Sequence, residues 1–337
     1  MRKKSRPTLE DVATLAGVST ASISRCINNP QKVAEPTRLR IQQSIEVLGY
    51  LPHFSGRALA RNRTNTIGAI IPTMDNAMFA SGLQAFQETL SQAGVTLLVG
   101  SSNYDPAQEF EQIRSLLSQG ADGLLLIGGA RPEKTRKFLT QHSVPHILAW
   151  CYSKTVGVPS VGFDNQKSGR SIAEHVIAHG HRNLAVISGL RAGNDRAQDR
   201  ILGIQAAIDA HQEVHLLALE ECKYSFEEAG EALDVILSGQ KRPTAIICGS
   251  DVLAVGAMLR AQDLGLCIPD DISFTGFDDI NLARVTTPGL TTVQVPQNEM
   301  GRKAADVLLS LLNGSTEQAK SIELMTTIID RGTLAHI

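Results

Sequence analysis

Residues 8–25 read Thr-Leu-Glu-Asp-Val-Ala-Thr-Leu-Ala-Gly-Val-Ser-Thr-Ala-Ser-Ile-Ser-Arg, which is the pattern of two short helices joined at a glycine. Thr8 and Asp11 have the spacing of a capping box: a hydroxyl accepts from a first-turn N–H, and a carboxylate accepts from the cap's own N–H. Val12, Ala13 and Ala16 then share one helical face. Gly17 can adopt the left-handed conformation that turns the chain sharply. Val18 packs under that turn, and Ser19 caps a second helix. Ile23 and Ile27 form the second helix's buried stripe, leaving Thr20, Ala21, Ser22 and Arg25 facing outward near its N-terminal end. A helix-turn-helix presents this surface to a DNA major groove. An ordinary helical hairpin is the alternative on these residues alone.

Working outward, a third helix is expected from Glu35-Pro36-Thr37-Arg38, with Ile41, Ile45 and Leu48 at helical spacing and a stop at Gly49. Residues 55–61 are a short helix-capable stretch, 62–65 look like a linker, and 66–72 open a buried strand. Beyond that point apolar runs alternate with amphipathic helices. Strands are expected at 66–71, 95–100, 123–127, 146–150, 184–188, 214–219, 245–248 and 272–275, with helices such as 79–93, 108–119, 167–179 and 199–211 between them. Runs of Val, Ile and Leu without alternation imply parallel sheets covered on both faces, joined by right-handed crossovers. The strands fall into two sets, 66–162 and 184–275, and 291–295 and 322–329 read as crossings between them.

In open parallel sheets a ligand lies beyond the carboxyl ends of the strands. That rule selects Asp164, Arg200, Ser250, Asp251 and Asp278. Carboxylates that accept and a guanidinium that donates a rigid fork suit a polyhydroxylated or amide-bearing ligand. Met78, Phe79 and Trp150 are candidates for an apolar wall. Each polar candidate also has a structural reading. Asp164 and Asp251 stand where helix caps stand. Arg200 has Asp195 and Asp199 nearby as salt-bridge partners, and Asp278 shares a turn with Asp279. Trp150 fits a core as well as a ligand platform.

The formal net charge of −2 conceals an asymmetry: residues 1–65 carry 11 Lys and Arg against 4 Asp and Glu, so the head is +7 and the remainder −9. A basic head on an acidic body is the electrostatic footprint of a nucleic-acid reader. A chain of 337 residues suits two or three units. It has no apolar run near 20 residues and no signal-peptide core at its start, so a cytoplasmic protein without a membrane partner is expected. The five cysteines are scattered without CxxC spacing and read as small core residues in a reducing compartment. His175, His179 and His181 lie close in sequence, but the spacing is not HExxH and no ligand cluster follows, so no metal is expected. The chain shows no P-loop, GxSxG or dinucleotide fingerprint, hence no catalytic set and no cofactor. An enzyme on a similar doubly wound body and a periplasmic sugar-binding protein are the rival classes. The first lacks a visible base–nucleophile pair, and the second leaves residues 1–61 unexplained.

With these motifs in this order, the chain resembles the lactose/galactose repressor family of bacterial transcription regulators. The resemblance runs from Leu9-Glu10-Asp11-Val12-Ala13 to Asp330-Arg331-Gly332-Thr333. It implies an all-α helix-turn-helix domain over residues 1–51 and a hinge helix and linker over 52–65. The rest, 66–337, would be a periplasmic-binding-protein-like α/β body of two doubly wound parallel-sheet subdomains. One subdomain would comprise about 66–163 and 295–325, the other about 164–293 and 326–337. The implied function is a regulator, expected to repress, that binds a palindromic operator DNA as a homodimer under control of a small-molecule effector (a sugar, sugar acid or nucleoside-like compound). Thr20 and Ala21 match the family's specificity positions, with Arg25 placed for guanine and Ser19, Ser22 and Arg38 for phosphates. Leu59 matches the minor-groove wedge. His53 and Gly56 depart from the family's usual Asn and Ala. Arg200 and Asp278 match the most consistent effector contacts. Ser250 stands where the lactose type has Asn, and Ser225 stands where it has an aromatic, flanked here by Tyr224 and Phe226. No heptad tail follows Thr333, which favours a dimer over a tetramer.

Overall fold

The computed structural model describes the chain apart from residues 1–6, 52–62, 76, 153–156 and 316–319, and apart from the side chain of Asn28. It divides into two units, Met1–Thr64 and Asn65–Ile337.

In the first unit α1 (Leu9–Ala16), α2 (Thr20–Asn28) and α3 (Glu35–Leu48) form a small helical domain, with a 3-10 turn at Pro30–Lys32. Both arms of the capping box are present: Asp11 N–H donates to Thr8 Oγ1 at 3.2 Å, and Thr8 N–H donates to Asp11 Oδ2 at 2.8 Å. The hydrogen bonds from Thr8 hold the Asp11 carboxyl below its ordinary range. Gly17 takes φ 64°, ψ 41°, and its N–H returns to the carbonyls of Ala13 and Thr14, which ends α1 and frees the chain to start α2 at once. Ser19 accepts from Ser22 N–H at 3.2 Å. The core is Val12, Ala13, Ala16, Ile23, Cys26, Ile41 and Tyr50, with Val18 and Ile27 packed against it.

The second unit holds two sheets of six strands each. The first contains β1 (Thr66–Ile71), β2 (Thr96–Ser101), β3 (Gly123–Ile127), β4 (His146–Ala149), β5 (Ser160–Gly162) and, from near the C-terminus, β11 (Ile322–Glu323). Its order is β2-β1-β3-β4-β5-β11, parallel throughout. The second contains β6 (Asn183–Gly189), β7 (His215–Cys222), β8 (Ala245–Cys248), β9 (Ser273–Asp278), β10 (Thr291–Gln294) and β12 (Thr327–Ile329). Its order is β7-β6-β8-β9-β10-β12, and only β12 runs antiparallel. Strands such as β1, β3, β8 and β9 are buried along their whole length. That matches their unbroken apolar runs.

The helices are α4 (Ala77–Gln92), α5 (Pro106–Ser118), α6 (Glu133–Gln141), α7 (Asn165–Ala178), α8 (Asp195–Asp209), α9 (Phe226–Leu237), α10 (Asp251–Asp263), α11 (Asn281–Val285) and α12 (Gln297–Leu312). The chain passes between the sheets three times: from β5 into α7, from β10 into α12, and from β11 to β12. The last two are the crossings read from 291–295 and 322–329. β9 runs three residues beyond the expected 272–275 because β10 pairs with it as far as Gln294 opposite Asp278. That pairing holds Asp278 at the strand's carboxyl end.

α7 and α8 approach through two glycines. A Cβ at Gly203 would collide with the carbonyl oxygen of Gln166, and one at Gly169 with that of Arg200. Both obstacles are backbone, which cannot swing aside. Gly203→Ala is therefore expected to destabilise the fold by about 1–3 kcal/mol through overpacking, measured as a drop in the urea midpoint at unchanged slope. An unchanged midpoint would show that the two helices stand further apart.

Candidate nucleic-acid interface and ligand cleft

On the helical unit, Ser19, Thr20, Ala21 and Arg25 are exposed, and Ser22 is half-buried with its Oγ 3.0 Å from that of Ser19. The surface therefore offers small side chains and one long donor. Arg38 has its Nη2 3.8 Å from Glu35 Oε1, an exposed pairing that holds it only weakly. His53, Gly56 and Leu59 lie outside the described residues.

On the two-sheet unit, loops after the carboxyl ends of both sheets meet. Asp195, opening α8, accepts from Gly129 N–H at 2.6 Å and Ala130 N–H at 3.2 Å, both in the loop after β3. Tyr104, after β2, stacks on Tyr224, after β7, with ring centroids 5.5 Å apart. Asn194 donates to the Tyr224 hydroxyl at 3.2 Å. Tyr104 sits at φ 59°, off the usual non-glycine range. Burial pushes its phenol upward, and Arg196, Arg200 and Asp278 all act on it.

Arg200 and Asp278 lie buried near this junction, and both act on Tyr104. Arg200 is 3% exposed, with its guanidinium 4.5 Å from the Phe277 ring centroid, and its Nε is buried with no hydrogen-bond partner. The expected alternative partners do not take it. Asp195 bonds the β3 loop and Arg196, the latter at 3.1 Å, and Arg200 forms no ion pair among the described residues. Asp278 is 2% exposed at φ 115°, and its Oδ1 has no partner. Burial raises its carboxyl to about 7, although Arg200 and then Arg196 pull the other way. Its neighbour Asp279 carries the structural work instead. Asp279 accepts from Arg331 at 2.6 Å, Gln294 at 2.8 Å and Arg284 at 3.1 Å. Burial pushes its carboxyl up, but these bonds hold it below the ordinary value.

The other candidates divide. Asp164 caps α7, accepting from Lys167 N–H at 2.9 Å, and is half-buried. Ser250 caps α10, accepting from Leu253 N–H at 3.3 Å. Asp251 is fully buried and committed to the scaffold: its carboxylate accepts from Thr292 Oγ1 at 2.5 Å and Ile280 N–H at 2.8 Å. Burial and then Asp278 push the Asp251 carboxyl upward. Trp150 is buried at φ 59°, edge-on to Phe79 at 5.3 Å and closing on Gly82, with Nε1 unpartnered. Met78 is a buried core residue beside Phe79. Phe226 is exposed, while Tyr224 reaches the cleft. Sequence reading passed over Asn165, which donates to the Trp150 carbonyl at 3.0 Å and leaves its own Oδ1 unpartnered, and also Tyr104 and Arg196. Tyr104 and Asn165 follow β2 and β5, so the strand-end rule that found Asp278 could have found them.

A helix-turn-helix and a two-sheet ligand cleft on one chain define the class of ligand-responsive DNA-binding regulators. Residues 8–53 match the model for bacterial regulatory proteins of the lacI family, and residues 64–330 match that for periplasmic binding proteins and the sugar binding domain of the LacI family. The HTH-type transcriptional repressor PurR of Klebsiella pneumoniae (strain 342) is 33% identical, covering 97% of each chain. The HTH-type transcriptional repressor CytR of Escherichia coli (strain K12) is 30% identical over 98% of this chain and 97% of its own. A transcriptional regulator of the LacI family from Silicibacter pomeroyi superposes with a TM-score of 0.89 at 26% identity, covering 98% of this chain and 99% of that one. The chain belongs to the LacI family. It is a helix-turn-helix transcriptional repressor with a periplasmic-binding-like ligand domain, and not an enzyme.

The two carboxylates respond differently to mutation. Asp251→Ala leaves Ile280 N–H and Thr292 without their acceptor and is expected to cost about 1–3 kcal/mol of stability. Asp278 has a folded value raised to about 7 from 3.8, so the stability it lends is complete below the unfolded value and is lost as pH rises through the folded one. Asp278→Asn should therefore gain on wild type between pH 4 and 7, with no further gain above. Urea unfolding across that range checks this, and a constant difference would show an ordinary carboxylate.

Proposed function

We propose that this repressor binds a palindromic operator as a homodimer and is controlled by a polyhydroxylated or amide-bearing effector (sugar, sugar acid or nucleoside-like) held between the two sheets. The observation that carries the reading is the pair of buried groups without partners, Arg200 Nε on α8 and Asp278 Oδ1 at the carboxyl end of β9, close enough for the guanidinium to act on the carboxyl. Buried polar atoms in folded proteins are nearly all bonded, so unbonded ones concentrated in a cleft are donors and acceptors for a ligand. Arg200 donates to the effector and Asp278 accepts from it. Trp150, Phe79 and Met78 back its apolar side, Asp164 stands at its edge, and Ser250 and Asp251 act from behind as a helix cap and a buried acceptor.

The protein works in the cytoplasm on the nucleoid. Residues 1–51 read DNA, 52–65 form the hinge, and 66–337 bind effector and partner copy, the last divided at about 163/164, 293/295 and 325/326. Thr20, Ala21 and Arg25 meet base edges, and Ser19, Ser22 and Arg38 meet phosphates. Leu59, near Gly56, opens the central minor-groove step. Two copies match a twofold site because each supplies one reading helix. An effector favouring one angle between the sheets shifts the population of hinge conformations and hence DNA affinity.

On DNA, the log–log slope of affinity against salt should be on the order of −5 or steeper. Arg25→Ala should cost about 1–3 kcal/mol on the cognate site and relax discrimination at one base pair per half-site. Equal losses on cognate and random DNA would reduce Arg25 to a phosphate contact.

In the cleft, Arg200→Ala and Asp278→Ala should weaken the effector response by roughly 1–3 kcal/mol each while operator binding survives. A donor ligand favours ionised Asp278, so binding releases its proton and tightens as pH rises toward about 7. Operator titrations with the effector found by thermal-shift screening test both points. Wild-type midpoints in both variants would move the ligand site elsewhere.

A further inference from the structure

On the second unit, away from the strand ends that form the cleft, three side chains from distant parts of the chain meet at the C-terminal end of α7. His175 and His179 stand four residues apart and so share one helical face. Asp330 follows β12 directly. Asp330 Oδ2 lies 3.5 Å from His175 Nε2 and 3.6 Å from His179 Nε2, and the three ligand atoms all lie within 4.8 Å of one another.

Those separations are long for hydrogen bonds. They are close to the edge of a tetrahedron built on Zn–N and Zn–O bonds of about 2.0–2.2 Å.

The outer contacts have the form that ligation needs. His179 Nδ1 is 2.8 Å from the His175 carbonyl, which fixes the proton on Nδ1 and turns the Nε2 lone pair toward Asp330. The other carboxylate oxygen, Oδ1, accepts from Thr291 Oγ1 at 3.2 Å. His175 Nε2 is buried with no hydrogen-bond partner. The Asp330 side chain is 51% exposed, so the cluster has an entry path. His336, exposed in the C-terminal segment, stacks on His179 at 3.9 Å and provides a further imidazole at the rim. His181 takes no part. Its two nitrogens lie 2.9 Å from Thr244 Oγ1 and 3.1 Å from the Ala335 carbonyl.

We infer that His175, His179 and Asp330 form a site for one divalent transition-metal cation of the zinc class. Two imidazoles and one carboxylate suit Zn2+, Co2+ or Ni2+ rather than Mg2+ or Ca2+, which take oxygen ligands. The cation would join α7, which follows the first crossing between the sheets, to the segment that follows the third. It is independent of the effector reading, since none of its ligands belongs to the cleft.

The test is Co2+ titration of the full-length, tag-free protein, read by visible absorption and calorimetry. One Co2+ per chain should bind with the strong d–d absorption of a tetrahedral site, and thermal stability should rise with Co2+ concentration by mass action. Asp330→Asn, which changes a half-exposed group and keeps an acceptor for Thr291, should weaken binding at least tenfold, as should His175→Gln. His211→Gln, at a histidine outside the cluster, should not. No saturable binding to the wild type, or equal affinity in Asp330→Asn and wild type, would overturn the site. Because Asp330→Asn preserves the shape of the side chain, the result stands even if a histidine variant misfolds.

Discussion

The constraint on which the cleft depends is that two six-stranded, mainly parallel sheets are tied by three crossings of one chain, with loops after their carboxyl ends in contact. Strand ends in a parallel sheet carry the polar residues that the buried strands cannot. When two such edges meet, these residues leave water together, and a buried charge is costly unless it is bonded. Most of them are bonded. Asp195 receives two N–H groups from the opposite subdomain, Asp251 ties α10 to β10 and Ile280, and Asp279 holds Arg284, Gln294 and Arg331. Arg200 and Asp278 keep atoms without partners in the same setting. Trp150 Nε1, Asn165 Oδ1 and Thr275 Oγ1 are likewise buried without partners, so the bonded groups stand beside a small set of unsatisfied ones.

The adjacent pair Asp278 and Asp279 shows how finely this division is drawn. One carboxyl is held down by two arginines and a glutamine, and the other is driven up to about 7 by burial. They share a turn in which both have positive φ, at 115° and 52°, conformations that non-glycine residues hold only when the surroundings enforce them. β10 supplies that enforcement by pairing with β9 up to Asp278, while Gln294 from the same strand donates to Asp279. Desolvation therefore falls on Asp278, and the scaffold bonds fall on its neighbour.

The helical unit meets a different problem with few residues. Among the described residues its buried core is seven side chains, too small to hold the helices by burial alone. Local devices fill the gap: a complete capping box at Thr8, a hydroxyl cap at Ser19, and glycines in the left-handed conformation after α1 and α3. Each satisfies N–H or carbonyl groups that a short helix leaves bare. The caps also leave the outward face of α2 to small side chains and Arg25, the arrangement a major groove admits.

Much of this was legible in the sequence, because helix caps, turn glycines and unbroken apolar runs act within a few residues of themselves. The three N-terminal helices, most strands of both sheets, two of the crossings and the place of Asp278 at a strand end followed from such local signals, whereas β5 was not among the expected strands and Arg200 lies on α8. What the sequence left open was the assignment of partners. Asp251 and Asp278 look equivalent in sequence, each at a strand end before a helix or turn. Only the fold brings Thr292, 41 positions away, onto the first of them. Asp195 read as a partner for Arg200 until the loop after β3 claimed it from 65 and 66 positions away. His175 and His179 had no third ligand until β12 brought Asp330 beside them. Sequence by itself determined which elements form and which residues stand at their ends, because those choices are made by neighbours along the chain. Tertiary structure alone decided which buried polar groups are satisfied and which are left without a partner, because that depends on what the crossings bring within about 3 Å.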